Sequence, residues 1–193
     1  MKKSGKFLAI ATAFTLVSFS GFAQMASANK AKHNSGTHKE MSKEKGVMVG
    51  GALMVPSKNI VENALGSKDH TTLVAAVKAG GLVETLMGAG PFTVFAPTND
   101  AFNQLPAGTV ETLVKPENKE KLVSILTYHV VPGRLQAKDL KNGQTLKTVN
   151  GETLTVTRKG NSVMINGATV AIADVISSNG VTHVIDKVVL PGM

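Results

Sequence analysis

The sequence predicts an α+β fold, with helices gathered in the first half of the ordered region and strands in the second. Three observations carry that prediction. Apolar residues recur at helical spacing, between capping residues and glycines, from residue 59 to residue 128. Four Asn-Gly pairs follow, at Asn142-Gly143, Asn150-Gly151, Asn166-Gly167 and Asn179-Gly180, and Asn-Gly supplies the positive φ angles of tight hairpins. A continuous β-branched run, 181–190, then reads as a buried strand. Helices first and strands later argue against alternating βαβ units.

The elements follow in order. Residues 59–65 read as a short helix ended by Gly66. Asp69 is placed to cap the next helix, whose Leu73, Val74 and Val77 share a face, and Gly80-Gly81 ends it. Residues 82–87 form another short helix closed by Gly88. Residues 92–96 are a compact apolar strand broken by Pro97, and Thr98 caps a helix over 99–105. Helices follow at 109–114 and 117–128, the second with Leu122, Ile125, Leu126 and His129 in one core-facing stripe. After Pro132-Gly133, alternation marks strands at 153–157, 162–165 and 169–172.

What precedes the folded region has a different composition. Lys2, Lys3 and Lys6 precede an apolar stretch, 7–20, and Ala26-Ser27-Ala28 is a small-residue cleavage site. Residues 1–28 therefore read as a signal peptide, with Gly21-Phe22-Ala23 a second cleavage position and Asn29 the expected mature start. Residues 7–29 carry no charge, but polar residues fill the second half, so no stable membrane span is expected once the signal is removed. Residues 29–45 are polar and without periodicity, a disordered linker, and 46–193 form the single domain.

The net charge of +8 is unevenly placed. Residues 1–45 carry eight Lys and two Glu, whereas residues 46–193 are nearly balanced. Nucleic acid is therefore not an expected partner, since phosphate binding needs basic groups on the folded face. Aromatic residues make up 4% of the chain, which argues against base-stacking platforms. The absence of Cys excludes disulfides, thiolate metal sites and Cys nucleophiles. His33 and His38 lie in the linker without carboxylate support, so no metal site is expected. No HExxH, phosphate-binding glycine loop, nucleophile elbow or paired-carboxylate motif appears, so no catalytic residue, enzyme activity or cofactor is predicted.

Three segments carry a resemblance to a known family. Gly90-Pro91-Phe92-Thr93-Val94-Phe95-Ala96-Pro97-Thr98-Asn99-Asp100-Ala101-Phe102 resembles the first signature box of fasciclin-like domains. Tyr128-His129, followed by Val130-Val131-Pro132-Gly133, resembles the family's central Tyr-His pair. The run 179–191, Asn-Gly-Val-Thr-His-Val-Ile-Asp-Lys-Val-Val-Leu-Pro, resembles the second box. The resemblance covers residues 47–193 and implies a wedge-shaped β-sandwich with several helices packed along it. It also implies an exported protein, extracellular or periplasmic, that takes part in adhesion.

Six residues stand out as candidate binding residues. Thr98, Asn99 and Asp100 sit at a strand-to-helix turn, where they cap a helix and offer a polar edge. Tyr128 and His129 match the pair that the resemblance ties to adhesion. His129 nevertheless falls on the apolar stripe and reads as a buried, hydrogen-bonded imidazole with a first-box side chain as a possible partner. Asp174 matches the aspartate of an integrin-reading motif in matrix members, but Ile172 and Ala173 replace the acidic-proline pair expected before it. Its carboxylate is then expected to organise the turn before Asn179-Gly180. His183 shares one face of its strand with Val181 and Ile185 and reads as a core-edge histidine. The expected function is an exported, non-catalytic adhesion or interaction module. Its partner is a cell-surface or extracellular-matrix protein or polymer. The alternative is a carrier of an apolar small molecule, carotenoid- or lipid-like, in a groove lined by Met48, Met54, Met87, Met164 and Met193 together with leucines.

Overall fold

The computed structural model describes residues 45–192. The expected signal peptide and all of the expected linker but Lys45 lie outside the described residues, as does Met193. Among the described residues no helix is long and apolar enough to cross a membrane.

The chain opens on a hairpin, β1 (Val47–Val49) and β2 (Ala52–Met54), whose three-residue strands are too short for sequence periodicity to reveal. Gly50 and Gly51 both take positive φ, as the two-residue turn requires. Next comes α1 (Ile60–Gly66), closed at its start by a reciprocal capping box between Asn59 and Glu62. Asp69 does not cap the following helix. Lys68–His70 forms a 3₁₀ turn instead, and α2 (Thr71–Gly80) starts one step later without a cap from its own Ncap residue. Gly81, at φ 74°, ends α2, and α3 (Val83–Met87) is closed by Gly88.

The first-box strand is β3 (Phe92–Pro97). Thr98 caps α4 (Asn99–Asn103), which is shorter than expected because Pro106 lies ahead and Gln104 already serves as its C-cap. Then come α5 (Thr109–Leu113), a 3₁₀ turn at Pro116–Asn118, and α6 (Lys119–Tyr128). The predicted stripe is real: Leu122, Leu126 and His129 are buried and Ile125 is half-buried.

The strands that follow are β4 (Val130–Pro132), β5 (Thr145–Lys147), β6 (Thr153–Lys159), β7 (Ser162–Ile165), β8 (Ala168–Ser177) and β9 (Gly180–Ile185). The expected strand over 181–190 stops at Ile185. There Asp186 turns the chain, accepting from the Thr169 N–H at 2.6 Å and donating its own N–H to the Thr169 carbonyl. Residues 186–192 continue as a strap.

The sheet order is β4-β3-β9-β8-β7-β6-β5. Only the β3–β9 pair is parallel, running from Phe92 opposite Gly180 to Pro97 opposite Ile185. The two sequence boxes are thus adjacent central strands. The Val149 N–H donates to the Val130 carbonyl at 2.8 Å, so the sheet curls nearly shut. One core, built on Phe95, Leu140, Leu154, Val156 and Ile165, fills the curl. A second lies between β3 and the helices, around Ile60, Leu73, Val77 and Leu126. A third, of Val49, Met54, Val175 and Val184, sits under the hairpin. With core on both faces, β9 is buried along its whole length.

Candidate functional site

Tyr128 and His129 are neighbours in sequence that face different spaces. The Tyr128 hydroxyl donates to the Thr153 carbonyl at 3.0 Å and accepts from the Asn166 side-chain amide at 2.8 Å. Burial raises the phenol's pKa, an effect the Asn166 bond opposes. Beside it lies an open cleft of about 820 Å³ whose walls are Glu152, Thr153 and Thr155, Asn166, and Val188 and Leu190 of the strap. Thr153, Thr155 and Asn166 are exposed, whereas Tyr128 is 2% exposed. The threonines and the amide form the accessible wall of this cleft, and the buried phenol is bonded to Thr153 and Asn166 behind them.

His129 lines an apolar cavity of about 50 Å³ beneath the helices, together with Ile60, Val77, Leu86 and Val94. Its Nδ1 lies 2.8 Å from the Ile125 carbonyl, which can only accept, so Nδ1 carries the proton. Nε2 then accepts from the Val189 N–H at 3.2 Å. The partner is therefore the backbone of the strap and not a first-box side chain. The first box does touch this residue, through the Phe95 N–H donating to the His129 carbonyl. Burial pushes the imidazole down to about 4, against the Ile125 bond that favours the charged form. The ring is a neutral clip between α6 and one wall of the cleft.

Thr98, Asn99 and Asp100 form a junction of elements. Thr98 Oγ1 accepts from the Ala101 N–H, capping α4. Asn99 Oδ1 accepts from the Thr72 N–H at 3.1 Å and from the Thr71 hydroxyl, while its amide donates to the Lys68 carbonyl. The start of α2 is thus capped by a residue of α4. Asp100 is exposed in the first turn of α4, where its charge complements the helix dipole.

Asp174 sits in a bulge of β8, at φ 58°, with its Oδ1 accepting from the Ala137 N–H at 2.7 Å. It therefore organises the loop after β4 and not the turn at Asn179. Its own N–H faces Nδ1 of His183 at 3.4 Å. His183 Nε2 donates to the Leu135 carbonyl at 2.8 Å, and the ring stacks on Phe95. It is fully buried, deeper than a core edge. Burial lowers its pKa, opposed by the Leu135 bond and the Asp174 charge. His70 is also buried, with Nδ1 2.9 Å from the Ser67 hydroxyl. Its Nε2 has no hydrogen-bond partner among the described residues, and burial lowers its pKa, opposed by the Asp69 charge and then by the Ala96 backbone. No carboxylate orients this Ser–His contact from the second nitrogen, as a triad requires.

The fold does not gather the six nominated residues into one site. Tyr128 lines the cleft and His129 anchors its strap, while Asp174 and the 98–100 turn belong to other junctions. Among the described residues the methionine-lined groove is not formed, and Met164 is half-buried in β7. Met48 and Met87 are exposed, Met54 is in the third core, and no methionine lines the apolar cavity.

The sequence profile of the fasciclin domain matches residues 68–191. The chain belongs to the fasciclin domain family. Protein sll1483 of Synechocystis is 57% identical over 150 residues, which are 78% of this chain and 83% of that protein. The transforming growth factor-beta-induced protein ig-h3 of Sus scrofa is 38% identical over 139 residues, 72% of this chain and 20% of that one. Among solved structures, a FAS1 domain pair from the insect cell adhesion molecule Fasciclin I matches with a TM-score of 0.62. That likeness is at 20% identity and covers 70% of this chain and 52% of the other, so it speaks to the fold. The fasciclin family is one of non-enzymatic adhesion domains.

The sequence reading of this fasciclin domain missed Asn166, Thr153 and Thr155 as site residues. The Asn166-Gly167 pair does build the turn it signals, with φ of 47° and 82°. Its side chain reaches Tyr128, 38 positions away, and nothing local announces that.

Proposed function

We propose that this fasciclin domain is an exported, non-catalytic interaction module that binds a protein or polymer of a cell surface or extracellular matrix in the cleft beside Tyr128. The observation that carries the reading is the cleft itself: open, walled by exposed threonines and Asn166, and backed by a phenol whose hydroxyl is bonded on two sides. Such a surface suits recognition by hydrogen bonds and shape, and it holds no nucleophile–base pair. The adhesion named for the insect relative supports the same reading, and the leader over residues 1–28 supports export. Tyr128 acts as a binding residue, and His129 positions the strap. Asp174, Thr98 and Asn99 contribute by fixing loops and helices, and Asp100 is the member of its turn open to a partner.

The test is photo-cross-linking on intact cells. A photoreactive side chain at Thr155 is expected to capture a partner, and one at Glu111, exposed on α5, is not. Equal capture at both sites, or none at Thr155, overturns the reading.

The carrier reading has one observation in its favour, the mostly apolar lining of the cavity beneath α1, α2 and α3, which Lys78, His129 and Thr182 interrupt. At about 50 Å³ it has room for little more than one water-sized guest, so a lipid or carotenoid enters only if the helices part. A bound chromophore extracted from purified protein supports that reading.

A further inference from the structure

We infer that the β1–β2 hairpin docks this domain onto an anionic lipid bilayer. The hairpin carries apolar side chains on its solvent face as well as on its core face. Val49 and Met54 point into the third core, but the cross-strand partners Met48 and Leu53 are 60% and 50% exposed. Leu65, in the last turn of α1, the helix packed beside β2, adds a third exposed apolar side chain. Cross-strand apolar pairs on the solvent face of a two-stranded hairpin contribute nothing to the core beneath.

The charge of the neighbouring chain selects the occupant. Lys45, Lys58 and Lys68 are exposed in this region, against Glu62 and Asp69. The residues leading into β1, 29–44, add four Lys and two Glu. Apolar side chains beside basic ones match the boundary between headgroups and acyl chains of a bilayer with anionic lipids. An acidic polysaccharide offers the charge without an apolar phase for Met48 and Leu53. A second copy of the chain brings two basic segments together, which repel. The hairpin shares no residue with the cleft beside Tyr128.

The test is co-sedimentation of the purified chain with phosphatidylcholine vesicles and with mixed phosphatidylcholine–phosphatidylglycerol vesicles. The wild type is expected to sediment with the mixed vesicles and not with phosphatidylcholine alone, and added salt is expected to weaken the binding. Met48→Ser with Leu53→Ser is expected to reduce the bound fraction about tenfold. Both side chains are exposed, so the melting temperature stays unchanged; Leu53→Ser alone gives a smaller loss and serves as a second reading. The inference is overturned if the wild type binds neither vesicle, or if the double variant binds as well as the wild type. It is overturned too if a dimer sensitive to the double substitution forms and no lipid is bound.

Discussion

His129 illustrates how one buried polar side chain can be mistaken for a contact residue. Both ring nitrogens are committed to backbone, one within α6 and one on the strap. His129→Ala leaves the Val189 N–H without its acceptor and opens space beside the apolar cavity, at a cost of about 3 kcal/mol. A fall in melting temperature of roughly 10 °C is expected for a domain of this size. Calorimetry checks it, and a variant that melts like the wild type contradicts the clip. Asp174 gives a finer test. Asn tolerates positive φ and keeps the acceptor for the Ala137 N–H, so Asp174→Asn is expected within about 0.5 kcal/mol of wild type. Asp174→Ala loses both and is expected to cost about 1–2 kcal/mol in urea unfolding. Thr98 was legible as a cap because its partner is three residues away. The long-range partners of Tyr128, His129, Asn99 and Asp174 were not, since each lies at least 25 residues off.

At the scale of elements, several features that the sequence announces locally are present, while Asp69 as a cap and the strand beyond Ile185 are not. The capping glycines at 81 and 88, the stripe of α6 and the Asn166-Gly167 hairpin all rest on neighbours within one turn. Asn179-Gly180 does mark the β8–β9 hairpin, whose turn is Ser178-Asn179, but without the expected positive φ at the glycine. Gly180 has no positive φ and begins β9, where a Cβ would fall on the Phe92 carbonyl of the parallel partner strand. Asn179 holds three elements, its Oδ1 accepting from the Ile60 N–H and its amide donating to the Leu86 and Gly88 carbonyls. A dipeptide read as turn punctuation is here a turn and a packing junction at once. The start of α2 is a second case, because its cap comes from α4. Asn99→Ala is expected to cost about 1–2 kcal/mol and to speed amide exchange at Thr72 while leaving the core of β9 protected. Unchanged exchange at Thr72 contradicts the cap.

Across the whole molecule, the curled sheet gives the domain its cores and, at one mouth, its cleft. That closure depends on β3 meeting β9 across some 88 residues, a pairing no local pattern encodes. It also buries His70, His129 and His183, each with its pKa lowered by burial. Above about pH 6.5 the His129 ring is neutral in both folded and unfolded chains and has no differential effect. As the pH falls from there toward 4, the unfolded chain takes a proton that the folded chain refuses, so stability falls. Below about pH 4 the loss from this ring levels off at about 3 kcal/mol. Urea midpoints are expected to drop between pH 7 and pH 4, with less of a drop in a His129 variant; a flat profile contradicts the assignment of neutral rings.

The central claim is that the cleft beside Tyr128 is the surface by which this fasciclin domain engages its partner. The measurement that tests it most directly is attachment of Thr155→Arg to intact cell surfaces beside the wild type, with melting temperatures taken on the same samples. Thr155 is exposed, so the arginine fills the cleft without disturbing the core. The account predicts that attachment is lost while the melting temperature holds. Attachment at the wild-type level with the fold intact would contradict it.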